Sequence, residues 1–194
     1  MTSYPLRKYL VGLTGNMASG KSTVLAYLAK CGAQTFSCDE LVRELYQTSA
    51  VQRQLKQWFK TSCPQEVARI VFSSCASRQK LERFLHPKVW ELAQKRLAAT
   101  HAAWAVLEVP LLFEAGWQDR MDLTVLVTAP QSTLHKRLQA RGVSNVQYQR
   151  RIRVQLPPEE KLHLADVVLC NDGTKQILAA KTKRLYKVLE TFYA

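Results

Sequence analysis

No apolar run in this chain reaches the roughly 18 residues that a membrane-spanning helix needs. The longest candidate, residues 102–116, is interrupted by Glu108, Pro110 and Glu114, so no membrane span is expected. The first seven residues, Met1 to Arg7, lack the apolar core of a signal peptide and read as a loose tail. Cysteine is scarce as well: the five, at 31, 38, 63, 75 and 170, are odd in number and contain no C-x-x-C pair. That pattern argues against a disulfide framework and against a zinc site, and points to reduced thiols in a cytoplasmic protein. Repeats, low-complexity tracts and Pro- or Gly-rich linkers are absent too, so 194 residues are expected to form one domain, residues 1–194. Acids are the last shortage. Fifteen Asp and Glu stand against 28 Lys and Arg, a net charge of +13, which calls for a polyanionic partner: nucleic acid, a membrane surface or a phosphorylated small molecule.

What is present chooses among these. Gly15-Asn16-Met17-Ala18-Ser19-Gly20-Lys21-Ser22 matches G-x-x-x-x-G-K-[ST] at every position. Before it, Tyr9 to Leu13 read as a short buried strand. After it, Val24, Leu25, Leu28 and Cys31 mark one helix face, with Gly32 as its C-cap. A strand, a Gly-bounded loop and a helix N-terminus in succession let backbone N–H groups wrap a phosphate chain, helped by the positive end of the helix dipole. In that arrangement Lys21 reaches the β- and γ-phosphates of ATP and the Ser22 hydroxyl ligates Mg²⁺.

The remaining segments supply candidates around this loop. Ala33 to Phe36 form a weak strand, which places Asp39 at a strand end facing the loop or, alternatively, at the N-cap of the helix that follows. Residues 49–101 carry helical patterns and little strand signal, as expected of a helical insertion, and His86-Pro87 fits a boundary between two helices. Trp104 to Val109 is an apolar strand with one acid, Glu108, near the end where P-loop enzymes hold Mg²⁺. Leu111, Leu112 and Phe113 then form either a substrate wall or plain core. Asp122 to Val127 is another buried strand. Between Gln131 and Pro158 stand six basic residues and no acid: Lys136, Arg137, Arg141, Arg150, Arg151 and Arg153. Arg137 and Arg141, four apart, share a helix face and suit a lid over about 132–158 that grips a phosphoryl group; a solvated basic face is the other reading. Pro157 to Lys161 start a helix, Ala165 to Leu169 form a fifth strand, and residues 175–192 form a last helix. The fold class is therefore α/β, a three-layer α/β/α P-loop NTPase with a five-stranded parallel sheet, helical insertion and helical lid.

Together these pieces resemble one family, the dephospho-CoA kinases, from about Tyr9 to Leu189. The resemblance rests on Gly12-Leu13-Thr14-Gly15 with Ser19-Gly20-Lys21-Ser22-Thr23, on Asp39-Glu40-Leu41-Val42-Arg43, and on Leu81-Glu82 with Leu85-His86-Pro87. It continues through Val109-Pro110-Leu111-Leu112-Phe113-Glu114, Arg137-Leu138 with Arg141, Arg151-Ile152 with Gln155, Lys161, Ala165-Asp166, and Asn171 with Gly173. It implies transfer of the ATP γ-phosphate to the 3′-hydroxyl of the dephospho-CoA ribose, the last step of CoA biosynthesis. By that resemblance Asp39 is the catalytic base, while Arg43, His86 and Leu111 to Phe113 hold dephospho-CoA. Asn171 and Gly173 then lie near the adenine, and residues 15–23 hold the phosphates. The chain departs from the family in Asn16, Met17 and Ala18, where glycine is common, in Ser37 in place of an Asp, and in Glu108 where Asp is frequent. A monomer or weak homo-oligomer without nucleic-acid or membrane partners is expected. The rival readings are another small-molecule P-loop kinase, a nucleic-acid-binding P-loop ATPase, and an inactive scaffold.

Overall fold

The computed structural model describes residues 8–143, 148 and 154–194. Its strands are β1 (Tyr9–Gly15), β2 (Gln34–Ser37), β3 (Trp104–Glu108), β4 (Leu123–Thr128) and β5 (Val167–Cys170). The helices are α1 (Lys21–Cys31), α2 (Cys38–Gln47), α3 (Ser49–Phe59), α4 (Pro64–Ser73), α5 (Cys75–Ala99), α6 (Gln131–Ala140), α7 (Pro158–Leu164) and α8 (Lys175–Tyr193). The strands form one sheet in the order β2-β3-β1-β4-β5, and each described register, β1 with β3, β1 with β4 and β4 with β5, is parallel. Near-continuous burial along β1 and β3 is what a parallel sheet covered on both faces demands, which is why these strands are apolar runs with no alternation.

This strand order positions the site. The connection after β1 leads to one edge of the sheet, while the one after β3 crosses to β4 on the other side of β1. Ligands of open α/β sheets bind where such connections part, at the carboxyl ends of the strands concerned. Here that point lies between β1, which runs into the phosphate loop, and β3, which ends in Glu108; the register sets Leu13 opposite Glu108. Beneath it, Val24 and Leu28 of α1 and Leu178, Leu185 and Leu189 of α8 pack on Val11, Leu13, Val106, Val125 and Val127. Two carboxylates close the ladders at the opposite edge. Asp122 Oδ2 accepts from the Leu10 N–H at 2.8 Å, and Asp166 Oδ2 accepts from the N–H and hydroxyl of Thr124, each at 2.7 Å.

The chain divides into two compact units, one of residues 1–36 and 100–194 that carries the sheet and one of residues 37–99 that is helical. The helical unit packs α2 to α5 around Val51, Leu55, Val67, Leu81 and Leu85. Two expectations are corrected there. Asp39 follows the carboxyl end of β2 by two residues but is not an N-cap: Ser37 is the N-cap of α2, and Asp39 sits exposed in its first turn, where a carboxylate suits the helix dipole. His86-Pro87 is not a boundary, because α5 runs unbroken through Pro87. Proline removes one backbone N–H and so leaves the Arg83 carbonyl without its helical donor. The helix continues because Leu81, Leu85, Val89 and Ala93, spaced by fours on either side of the proline, form one buried stripe.

Since Pro87 is exposed and the stripe does not use it, Pro87→Ala restores a helical hydrogen bond without touching the core. A gain of about 1 kcal/mol or more is expected in urea unfolding, within the ~3 kcal/mol that separates the two residues in helix interiors. Unchanged or lower stability would show that the helix needs the ring.

Candidate active site

The phosphate loop is shaped by three backbone conformations. Gly15, the last residue of β1, has φ 149°, and a Cβ there would lie 2.2 Å from the Val127 carbonyl oxygen of β4, so only glycine allows β1 and β4 to meet at this point. Ala18 adopts φ 64°, a left-handed conformation that costs an L-residue about 1–2 kcal/mol. Its methyl is buried with Leu134, Leu138 and Tyr148, beside Met17, which offsets part of that cost and seats the loop on α6. Gly20, at φ 106°, is the N-cap of α1; a Cβ there would lie 2.3 Å from Asn171 Nδ2. No side chain caps α1, so the helix offers its first N–H groups and the positive end of its dipole to an anion.

The loop's carbonyls are held from outside. Asn171 Nδ2 donates to the Ser19 carbonyl at 2.7 Å, and Arg137 Nη1 donates to the carbonyls of Ala18 and Ser19 at 3.1 and 3.2 Å. A trans peptide points its C=O and N–H in opposite directions, so fixing the Ser19 carbonyl outward aims the Gly20 N–H the other way. Asn171 is buried and Arg137 half-buried, and these contacts make both of them braces of the loop. Within the loop the Ser19 N–H donates to the Asn16 carbonyl at 3.1 Å, and Lys21 Nζ donates to the carbonyls of Gly15 and Asn16 at 2.8 and 3.1 Å. The loop thus holds its own ammonium across its mouth.

Ser22 is exposed at the start of α1, and its hydroxyl reaches Glu108 Oε1 at 3.5 Å, although Glu108 itself is buried. A hydroxyl and a carboxylate side by side are hard oxygen donors, which suit Mg²⁺ held by one carboxylate and the phosphates of a nucleotide. The other expected residues stand as follows. Thr23 follows in the first turn of α1, its N–H donating to the Gly20 carbonyl at 3.0 Å. Arg141 is exposed at the C-terminal end of α6, while Arg150, Arg151 and Arg153 lie outside the described residues. Gly173 is exposed in the turn after β5, next to Asp172, whose carboxyl is held below the usual carboxylate range by a hydrogen bond from Lys181. Leu112 is fully buried, its methyl where a Cβ on Gly12 would fall, and Phe113 is buried too; of the three apolar residues only Leu111 keeps partial exposure. In the helical unit Arg43 Nε donates to the Asp39 carbonyl at 3.2 Å, one turn back on α2, and His86 is half-buried on α5. Sequence reasoning assigned no role to the Glu114–Lys161 pair, whose two ends are 47 residues apart in the chain.

Comparison with known proteins converges on one group. A family model described as dephospho-CoA kinase matches residues 9–176. A dephospho-CoA kinase of Thermus thermophilus is 36% identical over 181 residues, covering 90% of this chain and 88% of the relative. One from Geobacter sulfurreducens is 32% identical, covering 91% and 96%. Among solved structures, a Thermus thermophilus protein superposes with a TM-score of 0.84 at 34% identity, covering 97% of this chain and all of the other. A shikimate kinase from Bacteroides thetaiotaomicron shares the fold, with a TM-score of 0.54 at 16% identity, covering 94% and 98%.

The close approach at Gly15 makes a direct prediction. Gly15→Ala drives a methyl into the Val127 carbonyl, so it should lower stability by about 2 kcal/mol or more and abolish binding of a fluorescent ATP analogue. Wild-type melting and binding in that variant would mean that the β1–β4 contact does not shape the loop.

Proposed function

The chain belongs to the dephospho-CoA kinase family, and from that premise we propose how its residues carry the ATP γ-phosphate to the 3′-hydroxyl of the dephospho-CoA ribose. The observation that carries the assignment of roles is the braced phosphate loop, with Lys21 at its mouth and Glu108 beside Ser22. Residues 15–23 bind the triphosphate through backbone N–H groups, and Lys21 exchanges the carbonyls of Gly15 and Asn16 for the β- and γ-phosphate oxygens. Ser22 and Glu108 would hold Mg²⁺, which would supply positive charge beside those oxygens. Asn171 and Arg137 keep the loop in its binding shape, and the exposed turn at Gly173 borders the adenine. Arg141, one helical turn beyond Arg137, supplies the guanidinium for the transferring group from a lid over about 132–158, of which residues 144–147 and 149–153 lie outside the described residues.

The helical unit takes the acceptor. Its chain leaves the carboxyl end of β2 and enters α2, with Asp39 two residues past the strand, the edge at which open α/β sheets bind ligands. Asp39 orients the 3′-hydroxyl and accepts its proton as the oxygen attacks the γ-phosphorus and the bond to the ADP oxygen breaks. Arg43 and His86 bind the anionic and polar parts of dephospho-CoA, and Leu111, set on the buried Leu112 and Phe113, adds an apolar wall. The excess of basic residues then serves two polyanionic substrates. The protein works as a monomer or weak homo-oligomer in the cytoplasm, without a nucleic-acid partner.

Two sets of substitutions test these roles. Asp39→Asn keeps a side chain of the same size in an exposed first-turn position, where loss of the dipole interaction costs about 0.3–1 kcal/mol. It should bind ATP and dephospho-CoA calorimetrically like the wild type, while the single-turnover rate falls about 10²- to 10⁴-fold. A near wild-type rate removes Asp39 from the mechanism. The arginines should separate kinetically: Arg141→Ala lowers kcat with little change in KM for ATP, whereas Arg137→Ala, which releases the loop, raises KM for ATP as well. Identical behaviour of the two would contradict the distinction between brace and phosphoryl ligand.

A further inference from the structure

A cavity of about 120 Å³ beside the phosphate loop is lined by Asn16, by Val127 and Thr128 of β4, by Leu134 of α6, and by Glu159 and Lys161 of α7. Lys161 is its anomaly, a lysine whose side chain is 0% exposed. Its Nζ lies 2.7 Å from Glu114 Oε1, the same oxygen that accepts the Leu156 N–H at 2.8 Å. The ion contact does not align as a hydrogen bond. The ammonium donors, Glu114 Oε2 and the Asn16 Oδ1 are therefore buried without a hydrogen-bond partner among the described residues. Burying an ammonium is expensive even when it is paired, and unsatisfied polar atoms add to that cost, so a cluster of them at one cavity needs a reason. The cavity is otherwise lined largely by apolar groups, among them Leu126, Ala129 and Pro158, but it has room for a few waters, and the buried donor and acceptor on its wall are the kind of partners that hold one.

We infer that Lys161 is a positioning residue for phosphoryl transfer. Through water in this cavity its ammonium holds the Asn16 side chain, and thereby fixes the Asn16 carbonyl that receives the Lys21 ammonium at 3.1 Å. Glu114 aims Lys161 and, through the Leu156 N–H, ties the segment returning from the lid to the same point. The phosphate loop is thus backed on one side by Arg137 and Asn171 and on the other by a buried ion pair that never meets substrate. The inference rests on the proposed role of Lys21 at the phosphates.

The test is a set of full-length variants, measured for melting temperature, kcat and both KM values. Lys161→Met alone leaves the Glu114 carboxylate buried without its counterion and should melt well below the wild type. The double variant Glu114→Gln/Lys161→Met removes both charges while the new amide oxygen can still accept from Leu156, so its melting temperature should return close to wild type. Its kcat should remain about 10- to 100-fold low, the scale of a slightly misplaced catalytic group, with KM for dephospho-CoA unchanged. Asn16→Ala should lower kcat by a similar factor and add nothing to the double variant. Recovery of kcat along with melting temperature would reduce the pair to packing and overturn the inference, as would full activity of Asn16→Ala or a multiplicative loss when the changes are combined. Lys21→Ala, expected to abolish turnover with little change in fold, separates the two levels. If it is active, the reading of the site fails; if it is inactive while the double variant runs at full rate, only the role of Lys161 fails.

Discussion

One steric constraint underlies the arrangement: at the end of β1 the backbone must pass so close to the Val127 carbonyl that no side chain fits on residue 15. That contact lets β1 and β4 stay paired to the last residue, with Gly15 opposite Val127, and turns the chain at once into the phosphate loop. Three dependencies follow. The loop's left-handed residues, Ala18 and Gly20, set the entry to α1, whose N-cap glycine has no side chain to occupy the first N–H groups. Pairing on the other side of β1 brings Glu108 to Ser22, and α6, following β4, brings Arg137 to the loop's outer carbonyls. A rigid backbone scaffold of this kind suits phosphoryl transfer, in which the protein contributes mainly position and charge.

Charge is distributed with the same economy. The chain carries a large positive excess, and the described basic groups in and beside the loop are placed differently. Lys21 lies across the loop mouth, Arg137 binds backbone, and Lys161 is sealed in a cavity against Glu114. Arg141 carries its guanidinium on the exposed end of α6, and the proposed role for it is to meet the reacting group. Neutral hydrogen-bond donors do the rest, with Asn171 satisfying a buried carbonyl that would otherwise be costly.

Much of this was legible in the sequence, because its determinants are local. The loop is a contiguous string with its own strand and helix, and the sheet strands are apolar runs bounded by turns, so the fold class followed from pattern, and the family from the resemblance of its motifs. What escaped depends on contacts between distant residues. Nothing near Arg137 says that its guanidinium binds carbonyls 119 and 118 residues away, and nothing near Asp122 or Asp166 says that each closes a ladder of the sheet. Pro87 was misread for a related reason: local propensity favours a break, but the buried stripe on either side outweighs the one lost hydrogen bond. Asp39 was displaced by a shift of element boundary, since α2 begins at Cys38 and takes the residue into its first turn. Leu112 and Phe113 proved to be core because the turn after β3 folds back under Gly12, a contact that no periodicity encodes.

The central claim is that this loop delivers the ATP γ-phosphate to one hydroxyl of one acceptor. It is tested most directly by incubating the purified protein with ATP, Mg²⁺ and dephospho-CoA and locating the new phosphate by mass and by ³¹P NMR. A single added phosphate on the ribose 3′-oxygen, formed together with an equal amount of ADP, is the predicted result. ADP release without a phosphorylated acceptor, or a phosphate placed elsewhere on the molecule, would contradict the account.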